Sequence, residues 1–167
     1  MAWSIEDTRP ADPVLGDPAS VAALAATPRR TAEDLQDALE RLAAQPPGSR
    51  RHASRLRRLH TDLGAVAASL ERTGGRLAEH AIDLADARGL AHRLRDRAQG
   101  LGLRVDGPVV SRPRGVHGVA DEAAETERDA ALSRLQQVLD AVLIDLEARR
   151  RALREDVDSE RERRASR

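Results

Sequence analysis

Between Leu56 and Leu101 an apolar or small residue returns every three to four positions almost without a break. One row reads Leu56, Leu63, Leu70, Leu77, Leu84, Ala91 and Ala98; the other reads Leu59, Val66, Thr73, His80, Ala87, Leu94 and Leu101. A heptad pattern sustained this long specifies one long helix with a narrow apolar seam, as in a coiled coil. At about 1.5 Å per residue it would run about 68 Å. Such a helix cannot bury its own seam. A second helix, from this chain or from another, must cover it, which makes the expected fold class all-α.

Composition agrees with closely spaced helices. Phe and Tyr are absent and Trp3 is the only aromatic residue, so Ala and Leu supply most of the apolar content. Cores of ordinary thickness draw on aromatic rings for their largest buried areas; Ala/Leu layers suit helices that approach closely. All 28 basic residues are Arg, balanced by 28 acids, so no global field draws the chain to nucleic acid or to an anionic membrane. The lack of Cys removes disulfides and thiol chemistry. No apolar run reaches the length of a membrane span. The acidic stretch Met1–Pro13 is not expected to be a cleavable signal peptide. The expected location is the cytoplasm, or outside the cell by a route that needs no such signal.

Turn and cap residues divide the chain. Residues 1–16, with Pro10, Pro13 and Gly16, read as a flexible lead-in, and 17–158 as a single helical domain. Asp17-Pro18 is a cap followed by a first-turn proline, and opens helix 1 at about 17–44. Its seam follows Val21, Leu24, Pro28, Leu35, Leu39 and Leu42. Pro28 predicts a kink or a restart, with Thr27 able to cap a second piece. Gln45-Pro46-Pro47-Gly48 stops helix 1, and Ser49 can cap helix 2, at about 49–101. A connection this short makes the two antiparallel neighbours. Gly74-Gly75 predicts a bend or a close helix approach.

Beyond helix 2, a turn and loop occupy 102–119. Within it, Asp106-Gly107 between Leu103-Arg104-Val105 and Pro108-Val109-Val110 is the signal of a small β-hairpin near 103–110. Helix 3, about 120–158, starts on acids that suit a helix N-terminus, and carries the seam Leu132, Leu135, Leu139, Val142, Leu146, Leu153 and Val157. The charged residues 159–167 read as a fraying tail. The whole is an elongated antiparallel long-helix hairpin with a third helix returning along it.

No catalytic constellation stands out. No nucleophile sits in an elbow motif and no carboxylate pair is set for acid–base work, so a non-enzymatic protein without cofactors is expected. His80, Asp83 and Asp86 share one helix face, but no facing helix offers matching acidic ligands, which argues against a metal. His80 itself falls in the seam, where a polar residue can set register or respond to pH; a tolerated polar seam position is the simpler reading. Arg50, Arg51, Arg55 and Arg58, with Arg57, His52 and His60, form a stretch without an acid. It is a weak candidate for phosphate binding. The arginines take several outward positions and no aromatic stacks nearby, which disfavours nucleic acid. The partner-binding or core residues are the seam itself: Leu56, Leu59, Leu63, Val66, Leu70, Leu77, Leu84 and Leu94 on helix 2, and Leu132, Leu135, Leu139, Val142 and Leu146 on helix 3.

Four stretches, in order, carry a family likeness. They are Gly16-Asp17-Pro18-Ala19-Ser20-Val21-Ala22-Ala23-Leu24-Ala25, the long helix from Arg50 to Leu101, Gly102-Leu103-Arg104-Val105-Asp106-Gly107 with Val109-Val110, and the helix through Asp129-Ala130-Ala131-Leu132 to Ile144-Asp145. This order resembles the helical N-terminal domain of actinobacterial type VII (ESX) secretion substrates, related to the small WXG-type helical-hairpin proteins. The likeness spans roughly residues 14–158. Where that family often has Trp-x-Gly, this chain reads Gln45-Pro46-Pro47-Gly48, and it lacks the Tyr of the family's export signal. The toxin domain that many relatives place after the returning helix is not expected here. The resemblance implies a helical secretion substrate, or a partner or chaperone of a larger secreted protein, forming homo- or hetero-oligomers through helical seams. A self-associating structural coiled coil is the main alternative, and an Arg-dependent nucleic-acid binder the second.

Overall fold

In the computed structural model, which describes residues 11–46, 49–113 and 122–165, Asp17 opens the first helix. Its carboxylate accepts from the backbone N–H groups of Ala19 (3.3 Å) and Ser20 (2.9 Å), and Pro18 stands in the first turn. This helix, α1, spans Pro18–Ala43. The second, α2, spans Arg50–Gly100 and starts on Ser49, whose hydroxyl accepts from the His52 N–H at 3.2 Å. Strands β1 (Arg104–Asp106) and β2 (Val109–Ser111) form an antiparallel pair, and the third helix, α3, spans Glu122–Ala165. The chain is thus all-α with one small hairpin. Pro47 and Gly48, the loop 114–118 and the expected start of helix 3 at 120–121 lie outside the described residues, as does Trp3.

The sequence predicts a single domain over 17–158. The described residues instead group into two compact units, one from 17–82 and 149–165, the other from 11–16 and 83–148. Both α2 and α3 contribute to each.

In the unit of 17–82 and 149–165, α1 buries Ala25, Ala32 and Leu39 at seven-residue spacing, with Val21, Pro28, Leu35 and Leu42 half-buried between them. This corrects the expected seam: Leu24 is 58% exposed, and the alanine beside it is the buried residue. Pro28 does not restart α1, which runs through it as one helix, and the Thr27 carbonyl accepts from the Thr31 hydroxyl at 3.0 Å rather than forming a new cap boundary. Packing explains why the helix tolerates a residue that removes one of its hydrogen bonds. A Cβ built on Gly74 would lie 3.0 Å from the Ala25 carbonyl oxygen, 3.3 Å from Pro28 Cγ and 2.6 Å from Arg29 Cγ. Gly74 lets the two helices come close, and Pro28 fills the contact.

The same unit holds the last turns of α3. In place of the frayed tail expected from Ser159, α3 continues to Ala165, because Glu160 is engaged by α2.

In the other unit, α2 ends on Gly102 with φ 69°. The Leu103 N–H reaches the Ala98 carbonyl (2.8 Å) and the Gly102 N–H reaches that of Gln99 (2.9 Å), the paired bonds of a Schellman ending. Leu103 then turns into a core with Ala98, Val105, Val110, Leu135 and Leu139, flanked by Leu94, Leu132 and Leu143. The hairpin register pairs Val105 with Val110, so both face inward while Arg104, Asp106 and Val109 are exposed. Gly107, at φ 55°, makes the turn. Gln136 of α3 secures it, accepting from the Val110 N–H at 2.7 Å and donating to the Pro108 carbonyl at 2.9 Å.

Residues 11–16 depart from the flexible lead-in expected over 1–16, because they are held in this unit. Ala11 donates to the Asp106 carboxylate (2.8 Å) and accepts from the Gly107 N–H (3.0 Å) and from Arg95 (3.0 Å). Arg88 binds Asp12 (3.2 Å) and the Gly16 carbonyl (3.2 Å), and Val14 is buried. The bonding groups are backbone atoms and scattered charges, which leave no periodic trace in the sequence.

Candidate functional site

The seam residues fall into three classes. Leu84, Leu135, Leu139 and Leu146 are buried and are core. Leu56, Leu63, Leu70, Leu77, Leu94, Leu132 and Val142 are half-buried, Leu94 and Leu132 packing against the core cluster of the hairpin unit. Leu59 and Val66 are 43% and 39% exposed, so of the two roles expected for the seam, partner binding or core, core does not apply to them. They remain available to a partner.

The position of this pair follows from how α3 meets α2 within the unit of 17–82 and 149–165. The Ser69 hydroxyl donates to Glu160 at 2.8 Å, Arg72 Nε donates to the same carboxylate at 2.8 Å, and Arg163 approaches it at 3.0 Å. One turn further along α2, Arg76 pairs with Asp156 at 3.2 Å and with Glu79 at 3.1 Å. Ser69 is buried, so its hydroxyl needs this acceptor. The hydrogen bonds from Arg72, then Ser69, hold the Glu160 carboxyl at about 2, well below its ordinary 4.5, against a smaller opposing effect of burial. The same bond shifts the Arg72 guanidinium further up. This clamp fixes the antiparallel register of the two segments. A cavity of about 480 Å³ opens beside it, lined by Asp62, Ala65, Val66, Ala68 and the clamp residues. Val66 is therefore both exposed and at the edge of the α2–α3 groove.

Arg50, Arg51, Arg55 and Arg58 are all exposed, and among the described residues none of them has an acidic partner. At about 100° per residue, Arg51, Arg55 and Arg58 fall on the side of α2 that also carries Ser69 and Thr73, while Arg50 and Arg57 face elsewhere. The five thus take more than one outward position, and three of them share one side with Leu59 and Val66. His80 is half-buried in α2, near the middle of the helix.

The hairpin unit has a larger cavity of about 810 Å³, bordered by Arg97, Arg112, Arg128 and Arg134 together with the glycines at the end of α2. Of these arginines, Arg112 pairs with Asp129 and reaches Glu125 at 3.8 Å. Among the described residues, no group of three or more His, Asp or Glu side chains is placed to hold a metal ion, and His80, Asp83 and Asp86 do not form one. No helix among them is long and apolar enough to cross a membrane.

Sequence reasoning missed one element of this surface, the Ser69–Glu160–Arg72 clamp, which had no signal, since a Glu in a charged run looks like any solvated residue. The close approach at Gly74 is one of the two outcomes that the Gly74-Gly75 pair predicts. Comparison of the chain with protein-family models, with curated proteins and with solved structures gives no match.

Proposed function

We propose that this chain is a non-enzymatic helical interaction protein that works by helix–helix association, as a substrate of a type VII-like secretion system or as a partner or chaperone of a larger secreted protein. The observation that carries the association is the exposure of Leu59 and Val66 in a helix whose other seam residues from Leu56 to Ala98 are buried or half-buried. An apolar row left open on an otherwise covered seam is a surface that gains by adding a helix. At about 25 cal/mol per Å² of apolar area, a few more residues on each side are needed to overcome the cost of association. The secretion context is supported by the order of elements alone: a capped first helix, a short turn, a long second helix, a small hairpin and a returning helix. On this reading the protein is made in the cytoplasm and leaves it, when it does, with or as a folded helical partner.

The test is recovery of the tagged full chain from its own host, with the culture medium assayed in parallel, in wild type and in a strain lacking the type VII translocation ATPase. A stoichiometric secreted partner, or ATPase-dependent appearance in the medium, is expected. An intracellular protein recovered only with itself, unchanged in the mutant, would replace this reading with the self-associating scaffold.

A further inference from the structure

We infer that the first third of α2 is a docking surface for an acidic amphipathic helix of a partner protein, seated on Leu59 and Val66 and clamped by Arg51, Arg55 and Arg58. The inference rests on the association reading above and adds where the partner sits and what charge it carries.

Continuity with an interface already formed is the first support. The side of α2 that receives α3 carries Ser69, Thr73 and Arg76, and Ser69 and Arg76 bind Glu160 and Asp156 there. Three- and four-residue steps toward the N-terminus along the same side give Val66, Asp62, Leu59 and Arg55. Asp62, Val66 and Ser69 line one continuous cavity with Glu160, so the groove that holds α3 runs on toward the start of α2. Along that extension the apolar residues are exposed.

Charge complementarity is the second. Where α3 is seated, arginines of α2 meet carboxylates of α3: Arg72 with Glu160, Arg76 with Asp156. The extension repeats half of that pattern. Arg51, Arg55 and Arg58 stand on this side, no acid lies between Ser49 and Thr61, and among the described residues these arginines have no acidic partner. A helix with an apolar stripe flanked by Glu or Asp would complete it. Two other occupants are disfavoured by the same charges. A second copy laid on this face in parallel and in register would set arginine against arginine. The last turn of α3 has its Glu160 already held by Ser69 and Arg72, and Arg161, Arg163 and Arg164 beyond it outnumber Glu162.

The probe is a four-heptad synthetic helix with a Leu seam and Glu at the flanking positions, compared with an isomer bearing Lys there, each labelled and titrated into the full chain by fluorescence anisotropy. The Glu helix should bind at least about tenfold more tightly than the Lys helix, and more weakly as salt rises. Arg51→Glu/Arg55→Glu/Arg58→Glu should reverse the preference. Leu59→Asp and Val66→Asp should each weaken binding by at least about tenfold with helix content unchanged, since both residues are already exposed. Equal binding of the two helices, no binding of either, or a triple variant that keeps the wild-type preference would overturn the inference. So would binding of a DNA duplex in place of the Glu helix. Recovery of a partner from the host decides the association reading; the charge-swap titration decides this surface, so either can fail without the other.

Discussion

The two units bury apolar area without aromatic rings in different ways. Around α1, the unit of 17–82 and 149–165 relies on small residues, with Ala25 and Ala32 buried on one helix and Gly74 and Ala67 on the other. Backbones approach closely there, and the attraction is a sum of many individually weak dispersion terms. At α3 the same unit adds a polar clamp on Ser69. The unit of 11–16 and 83–148 buries Ala87, Ala91 and Ala98 but adds large aliphatic residues to them: Leu103, Val105 and Val110 from the hairpin segment meet Leu135 and Leu139 from α3. A hairpin can present a flat apolar face that a helix covers broadly, whereas two helices meet along a line. A chain rich in Ala and Leu can thus hold together by closeness in one place and by side-chain volume in another. Each mode fails under a different kind of substitution.

Removing volume should hurt most in the hairpin unit. Leu139 is fully buried, and Leu139→Ala is expected to cost about 2–5 kcal/mol, read as a lower midpoint in urea denaturation followed by circular dichroism. A loss under about 1 kcal/mol would mean that this core is not where the unit gains its stability.

Adding volume should hurt where the helices are closest. Gly74→Ala gains about 1 kcal/mol of helix propensity. Its Cβ, however, meets the Ala25 carbonyl oxygen at 3.0 Å and Arg29 Cγ at 2.6 Å, and overpacking of this kind costs about 1–3 kcal/mol. A backbone atom cannot step aside, so a net loss of up to about 2 kcal/mol is expected. Gly75 is the control: an added Cβ has only the end of Arg29 as neighbour, at 4.0 Å, so Gly75→Ala should stabilise by up to about 1 kcal/mol. Equal effects of the two substitutions in thermal melts would remove the close-approach account.

The clamp separates the units further by pH, with a smaller effect. Glu160 is held at about 2 in the folded chain, against 4.5 ordinarily, so its contribution is complete above about pH 4.5 and disappears as pH falls toward 2. Glu160→Gln should therefore reduce stability by about 1 kcal/mol near neutral pH, a typical size for a partly exposed charged hydrogen bond. The gap from wild type should close between pH 4.5 and 2. A gap that stays constant across that range would show that the carboxylate charge is not what Ser69 and Arg72 recognise.

How much is legible in the sequence depends on whether a feature repeats. Helix type and order, the Asp17 and Ser49 caps, the Asp106-Gly107 hairpin and the apolar rows all follow from local chemistry or from periodicity, and these are visible without a partner. Leu24 reads as a seam residue because leucine outranks alanine in any hydrophobicity pattern; close packing reverses that order by selecting the smaller neighbour, Ala25. The exposure of Leu59 and Val66 is equally hidden, since a heptad states that a residue wants cover and not whether cover arrives.

By itself, then, the sequence determined that this protein is helical, that its seams need other helices, and that its basic stretch from Arg50 to His60 contains no acid. Tertiary structure decided the rest. It carried α1 unbroken through Pro28, tied residues 11–16 to the hairpin, extended α3 to Ala165 and left one side of early α2 open. The physical reason is range. Caps, turns and helical periodicity act within a few residues. The Gly74 contact joins α2 to Ala25 and Pro28 far back in α1, and the Ser69–Glu160 bond spans 91 residues. Interactions of that reach exist only once the segments have been brought together.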